Sequence, residues 1–317
     1  MSDAKTVVTA CDSNFVWGAL LLGLSLRFQG MKCHYHILAY DLSDAESKVL
    51  SSIPDTKLYP KSKPDTRSVC TQKPMAIATA DTEIVVWMDA DCMVIGNLEK
   101  YFVTPHNGLQ IRKRKQNEIA TIYRNYYRFS DQRGKIPKRV LEIWQKDVAD
   151  LKRPQIETVY QTNCFVLNNS HRDFINLWQE QMLKVIPNDT KGVYNKHSIA
   201  YSMTDESVLN SLMAFSSQAP ATAEYLMDKD PETHCIHFGL KPKPWQHLTL
   251  QAYSHMAYID ELIDWARQQE IELPKIPLSL RKDKRRSELV RLRVRDNFRS
   301  LRYLMSTQAR SILRLFR

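Results

Sequence analysis

Glycine is scarce. The 317 residues contain eight, and none are arranged as G-x-G-x-x-G behind a strand or as G-x-x-x-x-G-K-[ST]. Both glycine-rich cradles for a nucleotide are therefore excluded, and a bound diphosphate would have to be held by a cation and side chains. Cysteine occurs six times, at Cys11, Cys33, Cys70, Cys92, Cys164 and Cys235, but never as C-x-x-C. That spacing excludes a zinc ribbon or a dithiol redox motif, and the thiols read as small core residues of a reducing compartment. No stretch reaches the roughly 18 consecutive apolar residues that span a bilayer. The nearest, Val16 to Leu26, is broken by Gly18, Gly23 and Ser25, and its acidic flank, with Asp3 and Asp12, is wrong for a signal peptide. The expected location is cytoplasmic, free or on the cytosolic face of a membrane.

What is present is a globular composition, 43% hydrophobic, in a chain long enough for one large α/β domain and an appendage. The charge is uneven. The formal net charge is +10 and the pI about 9.2. Residues 275–317 hold 14 Lys and Arg against 3 Asp and Glu, which leaves 31 against 32 in the remainder. The expected organisation is a neutral body, 1–274, and a basic extension, 275–317. A neutral body argues against a nucleic-acid-binding module.

Ile84 to Met88 is an apolar run of strand length that stops at Asp89-Ala90-Asp91. Unpaired buried carboxylates cost several kcal/mol, so two of them belong at a strand end, where they can share a divalent cation. Hard oxygen ligands suit Mg²⁺ or Mn²⁺. The chain supplies a control in Asp228-Lys229-Asp230, which has the same spacing but follows no strand and reads as a solvated loop.

Thr6–Ala10 reads as a first strand, and Cys11-Asp12-Ser13-Asn14 as turn and N-cap residues before a helix from about Phe15 to Phe28, ended by Gly30. His34–Tyr40 is a second strand. Ser43 and Glu46 have capping-box spacing for a helix reaching about Ser51. A helix near Pro74–Asp81 leads into the Ile84 strand, Val159–Leu167 is strand-like, and helices follow at Asp173–Val185 and Asp205–Phe215. This alternation predicts an α/β fold with ligands at the carboxyl ends of the strands, where Asp12, Asn14, Asp89 and Asp91 fall. Residues 111–160, with Arg112-Lys113-Arg114-Lys115, Tyr123, Tyr126, Tyr127 and Phe129, have weak periodicity up to a helix near Val140–Val148. They read as an excursion from the sheet on the acceptor side, or as a solvated insertion.

Five segments together resemble glycosyltransferase family 8, which includes glycogenin and bacterial lipopolysaccharide galactosyl- and glucosyltransferases. The resemblance covers about residues 5–250 and implies a GT-A fold, a Rossmann-like mixed sheet flanked by helices, with retaining transfer of a hexose from a UDP-sugar in the presence of Mn²⁺ (or Mg²⁺). Ala10-Cys11-Asp12-Ser13-Asn14-Phe15 is similar to the family's Ala-x-Asp-x-Asn-Tyr, implying uridine and ribose contacts from Ala10, Asp12, Asn14 and Phe15; helix capping by Asp12 and Asn14 is compatible with it. Met88-Asp89-Ala90-Asp91 resembles the metal motif, with Asp89 also facing the ribose. Lys73 stands roughly where relatives carry a basic residue for the diphosphate or donor sugar; a surface lysine is the alternative. Gln161-Thr162-Asn163-Cys164-Phe165 resembles the family's Asn-x-Gly strand without its glycine, so Asn163, or in another register Gln161, takes the Asn role near the sugar.

Thr204-Asp205-Glu206-Ser207-Val208-Leu209-Asn210 looks like Asp-Gln-Asp-x-Leu-Asn. By resemblance Asp205 binds donor-sugar hydroxyls. Glu206 falls on the reacting face where many relatives have Gln, either stabilising an oxocarbenium-like transition state or acting as nucleophile. Charge at a helix N-terminus is the plainer reading of both. His237-Phe238-Gly239-Leu240-Lys241-Pro242-Lys243-Pro244-Trp245 resembles His-x-x-Gly-x-x-Lys-Pro-Trp, with the glycine one residue early. It implies His237 as third metal ligand, Gly239 as a backbone contact to phosphate and Lys243 against the β-phosphate.

In the extension, Val290, Val294, Phe298, Leu301, Leu304 and Met305 recur at helical spacing among arginines. This predicts an amphipathic helix for an anionic membrane surface, and with it a glycan or glycolipid acceptor; a helix packed on the body is the alternative. A self-glycosylating primer, with Tyr123, Tyr126 or Tyr127 as acceptor, is the rival activity.

Overall fold

The computed structural model describes residues 4–62, 69–103, 108–125, 134–186, 199–229, 234–239, 241–295 and 297. Tyr126, Tyr127, Phe129, Asp230 and the extension beyond 297 lie outside them. The chain divides into two compact units, Met1–His237 and Phe238–Arg317. The division therefore falls inside the His-Phe-Gly segment, where the sequence suggested a boundary after residue 274.

The first unit is built on β1 (Lys5–Asp12), α1 (Val16–Phe28), β2 (His34–Tyr40), α2 (Asp44–Ser51), β3 (Thr56–Lys61), α3 (Lys73–Ile77), β4 (Ile84–Met88), β5 (Cys92–Ile95), β6 (Gly108–Lys113), α4 (Gln116–Asn125), α5 (Lys138–Val148), β7 (Tyr160–Asn168), α6 (Arg172–Val185), α7 (Asp205–Phe215), β8 (Ala221–Ala223) and β9 (His234–His237). Seven strands form one sheet in the order β3-β2-β1-β4-β7-β6-β8, and β5 pairs with β9 in a separate ribbon. β3, β2, β1 and β4 are parallel. β7 runs antiparallel to both β4 and β6. The sheet is thus mixed.

The parallel half follows from local chemistry. Strands covered on both faces read as continuous apolar runs, and all of β4 is buried. α1 is buried from Val16 to Leu26, so it packs between layers without an amphipathic stripe. Gly23 permits this approach: a Cβ there would meet Tyr35 and Ile53 at 2.8 Å. Gly30, at φ +67°, closes the helix, with Met31 N–H reaching back to the Leu26 carbonyl. In α2 the Ser43–Glu46 capping box forms in both directions.

The stretch 111–160 departs from the expected excursion. Ile111 lies within β6, inside the sheet, and Ile119, Tyr123, Val140 and Trp144 of α4 and α5 are buried in the main core. The basic run Arg112–Lys115 hides the strand from a reading by hydrophobicity. Each large side chain so buried contributes about 1.5–3 kcal/mol. α7 is buried along its whole length.

The second unit carries α8 (Leu250–Ser254) and α9 (Met256–Gln268) and a helical stretch at 285–295. That stretch is not a free tail. Arg285 pairs with Asp260 at 2.7 Å, Lys282 with Asp264 at 2.6 Å, and Arg295 donates to the Leu248 carbonyl at 2.7 Å. Glu288 and Leu292 are buried, whereas Val290 and Val294 are 57% and 49% exposed. Among the described residues no helix is long and apolar enough to cross a membrane.

Candidate active site

Four sequence-distant segments of the first unit converge at the carboxyl end of β4. β4 ends at Met88, and the turn Asp89-Ala90-Asp91 leads into β5. The register of the β5–β9 ribbon sets His237 opposite Cys92, which brings the imidazole beside the turn: His237 Nε2 lies 3.2 Å from Asp91 Oδ1 and 3.6 Å from Asp89 Oδ2. Ser25 ties this ribbon to α1, its hydroxyl accepting the Val94 N–H at 3.0 Å.

β7 supplies the next segment. β6 and β7 meet at Ile111–Phe165 and again at Lys113–Tyr160, so Arg112 alone stands against Gln161–Cys164. Gln161–Cys164 therefore bulge, outside the paired register with β6, while Asn163 continues the β4–β7 register opposite Asp89. The Asn163 carbonyl accepts from Asp89 N–H at 2.8 Å, and the Thr162 carbonyl and hydroxyl accept from Lys73 Nζ at 3.0 and 3.3 Å. Gln161 turns the other way, its Oε1 taking a hydrogen bond from Arg112 at 2.7 Å.

Lys73 is no surface lysine; it is 5% exposed. Its ammonium sits between Asp89 Oδ1 and Asp205 Oδ2, 2.8 Å from each, and over the Trp87 ring, 5.4 Å from its centroid. Burial opposes its charge, but Asp205 and Asp89 outweigh burial and raise its pKa above the ordinary lysine value. The Asp89 carboxyl is itself pushed up by burial, an effect Lys73 offsets and Asp91 reinforces. Trp87 Nε1–H also donates to Asp89 Oδ1 at 2.9 Å. With both donors on Oδ1, Oδ2 is the oxygen turned toward His237.

α7 brings the fourth segment. Thr204, immediately before it, has φ +45°, a backbone strain of order 1–3 kcal/mol that is typical of functional sites. Its hydroxyl donates to Asp205 Oδ1 at 3.1 Å, and Thr162 Oγ1 donates to Asp205 Oδ2 at 2.9 Å. Glu206 is held by Arg114, with Nε to Oε1 at 2.9 Å and Nη2 to Oε2 at 2.7 Å.

Asp12 caps the turn after β1, accepting the Asn14 N–H at 3.1 Å; Ala10 is buried and Phe15 half-buried. Gly239 and Lys243 belong to the second unit, where Lys243 Nζ donates to the Phe238 carbonyl at 2.7 Å. Of the tyrosines named for self-glycosylation, Tyr123 is 1% exposed, in the buried face of α4, and Tyr126 and Tyr127 lie outside the described residues.

Asp89, Asp91 and His237 each direct one ligand atom so that all three lie within 4.8 Å of one another. Two carboxylate oxygens and one imidazole nitrogen form a donor set that fits a divalent ion such as Mn²⁺. Trp87, Arg114 and Thr162, to which the motifs assign no role, hydrogen-bond the carboxylates of Asp89, Glu206 and Asp205 respectively. The alternation of Arg112 and Arg114 along one strand was the signal available for Arg114.

No family model matches the chain, and no curated protein matches it. Among solved structures it is similar to the WbbM bifunctional glycosyltransferase, at 15% identity and a TM-score of 0.54, over 85% of this chain and 52% of that one. It is also similar to the galactosyltransferase LgtC in complex with donor and acceptor sugar analogues, at 12% identity and a TM-score of 0.52, over 86% of this chain and 98% of that one. The chain spans about half the length of WbbM. Its mixed sheet flanked by helices is the GT-A fold of these glycosyltransferases.

Proposed function

We propose that the chain is a retaining glycosyltransferase of the family 8 type, moving a hexose from a UDP-sugar to a hydroxyl of a lipid-linked or surface glycan. The observation that carries this reading is the convergence of Asp89, Asp91 and His237 at the carboxyl end of β4 in a GT-A fold. Asp89, Asp91 and His237 would hold Mn²⁺ or Mg²⁺, which when bound supplies positive charge to the departing diphosphate. Ala10, Asp12, Asn14 and Phe15 would meet the uridine. Gly239 and Lys243 are assigned to the diphosphate, and Asn163 and Asp205 to the sugar hydroxyls. Lys73 reaches the sugar side through Asp205, and Glu206 faces the reacting centre.

Exposed side chains of the second unit support the proposed acceptor class. Leu250, Tyr253, Leu278, Val290 and Val294 are all exposed there, in a region rich in arginine. Each basic residue near an anionic lipid surface adds about 1 kcal/mol. A peripheral place on the cytosolic face of a membrane is the reading this supports. Full-length V290E/V294E should lose flotation with phosphatidylglycerol liposomes; unchanged flotation removes the membrane claim.

The activity is tested by calorimetry and hydrolysis assays with UDP-glucose, UDP-galactose and UDP-N-acetylglucosamine, with and without Mn²⁺. Binding of at least one donor that requires the metal is expected. Metal-independent binding, or none, sinks the assignment.

A further inference from the structure

We propose that Arg114 is a positioning residue that acts through Glu206, holding that carboxylate on the reacting face by a bidentate grip. The proposal rests on the glycosyltransferase reading above and adds to it a residue that no motif marked. Its basis is geometric. Glu206 opens α7, and its side chain has two staggered torsions and a terminal one before the carboxylate, so a helix N-terminus alone leaves the group several orientations. Arg114 removes them. A guanidinium presents two parallel N–H bonds in a plane and matches a carboxylate in one relative orientation only, which lysine cannot do. Both bonds are short, 2.9 and 2.7 Å.

Arg114 is itself fixed from behind. It follows β6 at the point where the bulge in β7 ends, and its own N–H bonds the Val159 carbonyl at 3.0 Å while its carbonyl accepts from Thr158 Oγ1 at 3.2 Å. Arg112, on the same side of the strand, is held in turn by Glu118 and Gln161. The pair is poorly solvated, with side-chain exposures of 12% and 10%, and a small cavity beside Glu206 is lined by Ile122, Tyr123, Trp144, Val159 and Met203. Such surroundings strengthen an ion pair and penalise a lone charge.

The grip also bears on mechanism. Both Glu206 oxygens donate electron density to one cation, which lowers their nucleophilicity. The arrangement suits a carboxylate that stabilises developing positive charge at the anomeric carbon by its position, while the acceptor oxygen makes the new bond, the bond from the anomeric carbon to the UDP oxygen breaks with its electron pair going to that oxygen, and the departing diphosphate oxygen takes the acceptor's proton.

The test is a double-mutant cycle on donor hydrolysis and transfer. R114K keeps the charge and the fold but not the paired geometry. It should lower kcat by roughly ten- to a hundredfold with KM for the UDP-sugar changed less than about threefold. In an E206Q background the same Arg114→Lys change should alter kcat by less than about threefold. A guanidinium acting only on stability would shift the melting temperature without this split. The proposal is overturned if R114K retains wild-type kcat, or if its loss is as large in the E206Q background as in the presence of Glu206. If the wild-type chain turns over no UDP-sugar, the functional reading fails and takes this proposal with it; if the wild type is active and the cycle is additive, only the role of Arg114 fails.

Discussion

The row of carboxylates has two ends built on opposite plans. At the Glu206 end, one carboxylate meets one guanidinium in a bidentate pair, and the charge is balanced by the protein. At the Asp89–Asp91 end, two carboxylates turn toward a single imidazole, and the nearest ammonium, Lys73, is shared with Asp205. The first end matches one anion with one cation, whereas the second turns two carboxylate oxygens and an imidazole nitrogen toward one point. A divalent cation would bring no further benefit at Glu206, where both oxygens are taken by Arg114, and suits the donor set of Asp89, Asp91 and His237. The asymmetry separates an end that binds an ion from an end that must stay oriented without one.

Lys73 joins Asp89 of one end to Asp205, the chain neighbour of Glu206, so its removal should have the largest effect. K73M leaves Asp89 and Asp205 facing each other without the cation between them, and breaking a buried pair this way costs about 3–5 kcal/mol. Urea denaturation should show that loss, and Mn²⁺ should restore more stability to K73M than to wild type. Wild-type stability in K73M would mean that the bridge contributes nothing to joining the ends.

Removing one ligand distinguishes the ends next. D91A should weaken Mn²⁺-dependent UDP binding by about a hundredfold or more, whereas E206Q should change it by less than about threefold. Calorimetry with UDP and Mn²⁺ reads both. Equal effects of the two substitutions would erase the distinction. A smaller effect belongs to Trp87, whose indole N–H holds Asp89 Oδ1 and leaves Oδ2 for the ion. W87F should cost roughly tenfold in Mn²⁺ affinity, as the loss of an orienting partner does, with UDP-sugar kcat at saturating metal little changed. Full affinity in W87F would show that Lys73 alone orients Asp89.

The two halves of the sheet differ in how much their residues announce. β2, α2 and the start of α7 have the bounds the sequence predicts, because each is set by a local signal: an apolar run, a capping box, two acids at a helix N-terminus. The antiparallel half is set by contacts between distant segments. Nothing local says that β6 pairs with β7 through a basic run, that Gln161–Cys164 bulge, or that Arg114 finds a glutamate 92 residues away. Lys73 shows the same limit. A lysine in isolation reads as solvated, and only the arrival of Asp89 and Asp205 from other segments makes its burial tolerable. The carboxylates and His237 were legible through the motifs around them, which Asp228 and Asp230 lack; Lys73 was named by resemblance alone, and its partners, like Arg114, became legible only once folded.

The smallest effect tests whether acid sensitivity resides at His36, away from the carboxylate row. His36 lies near the amino end of β2, away from the strand ends that carry the site. Burial holds its pKa below the ordinary imidazole value, and Lys57 adds to the depression, with Asp81 opposing and His34 contributing weakly in the same direction as Lys57. The Tyr59 hydroxyl is 3.4 Å from its Nδ1. The folded state therefore binds fewer protons at this position than the unfolded chain does. The contribution of neutral His36 is present in full above the ordinary value of about 6.5 and is lost as the pH falls through the folded pKa. H36Q should accordingly lose less stability than wild type between pH 7.5 and pH 5.5, measured as the shift in urea midpoint, while Mn²⁺-dependent UDP binding falls alike in both proteins over the same range. An identical stability slope in the two would assign the acid sensitivity to groups other than His36. A change in UDP binding on H36Q alone would break the separation between the site and the amino end of the sheet.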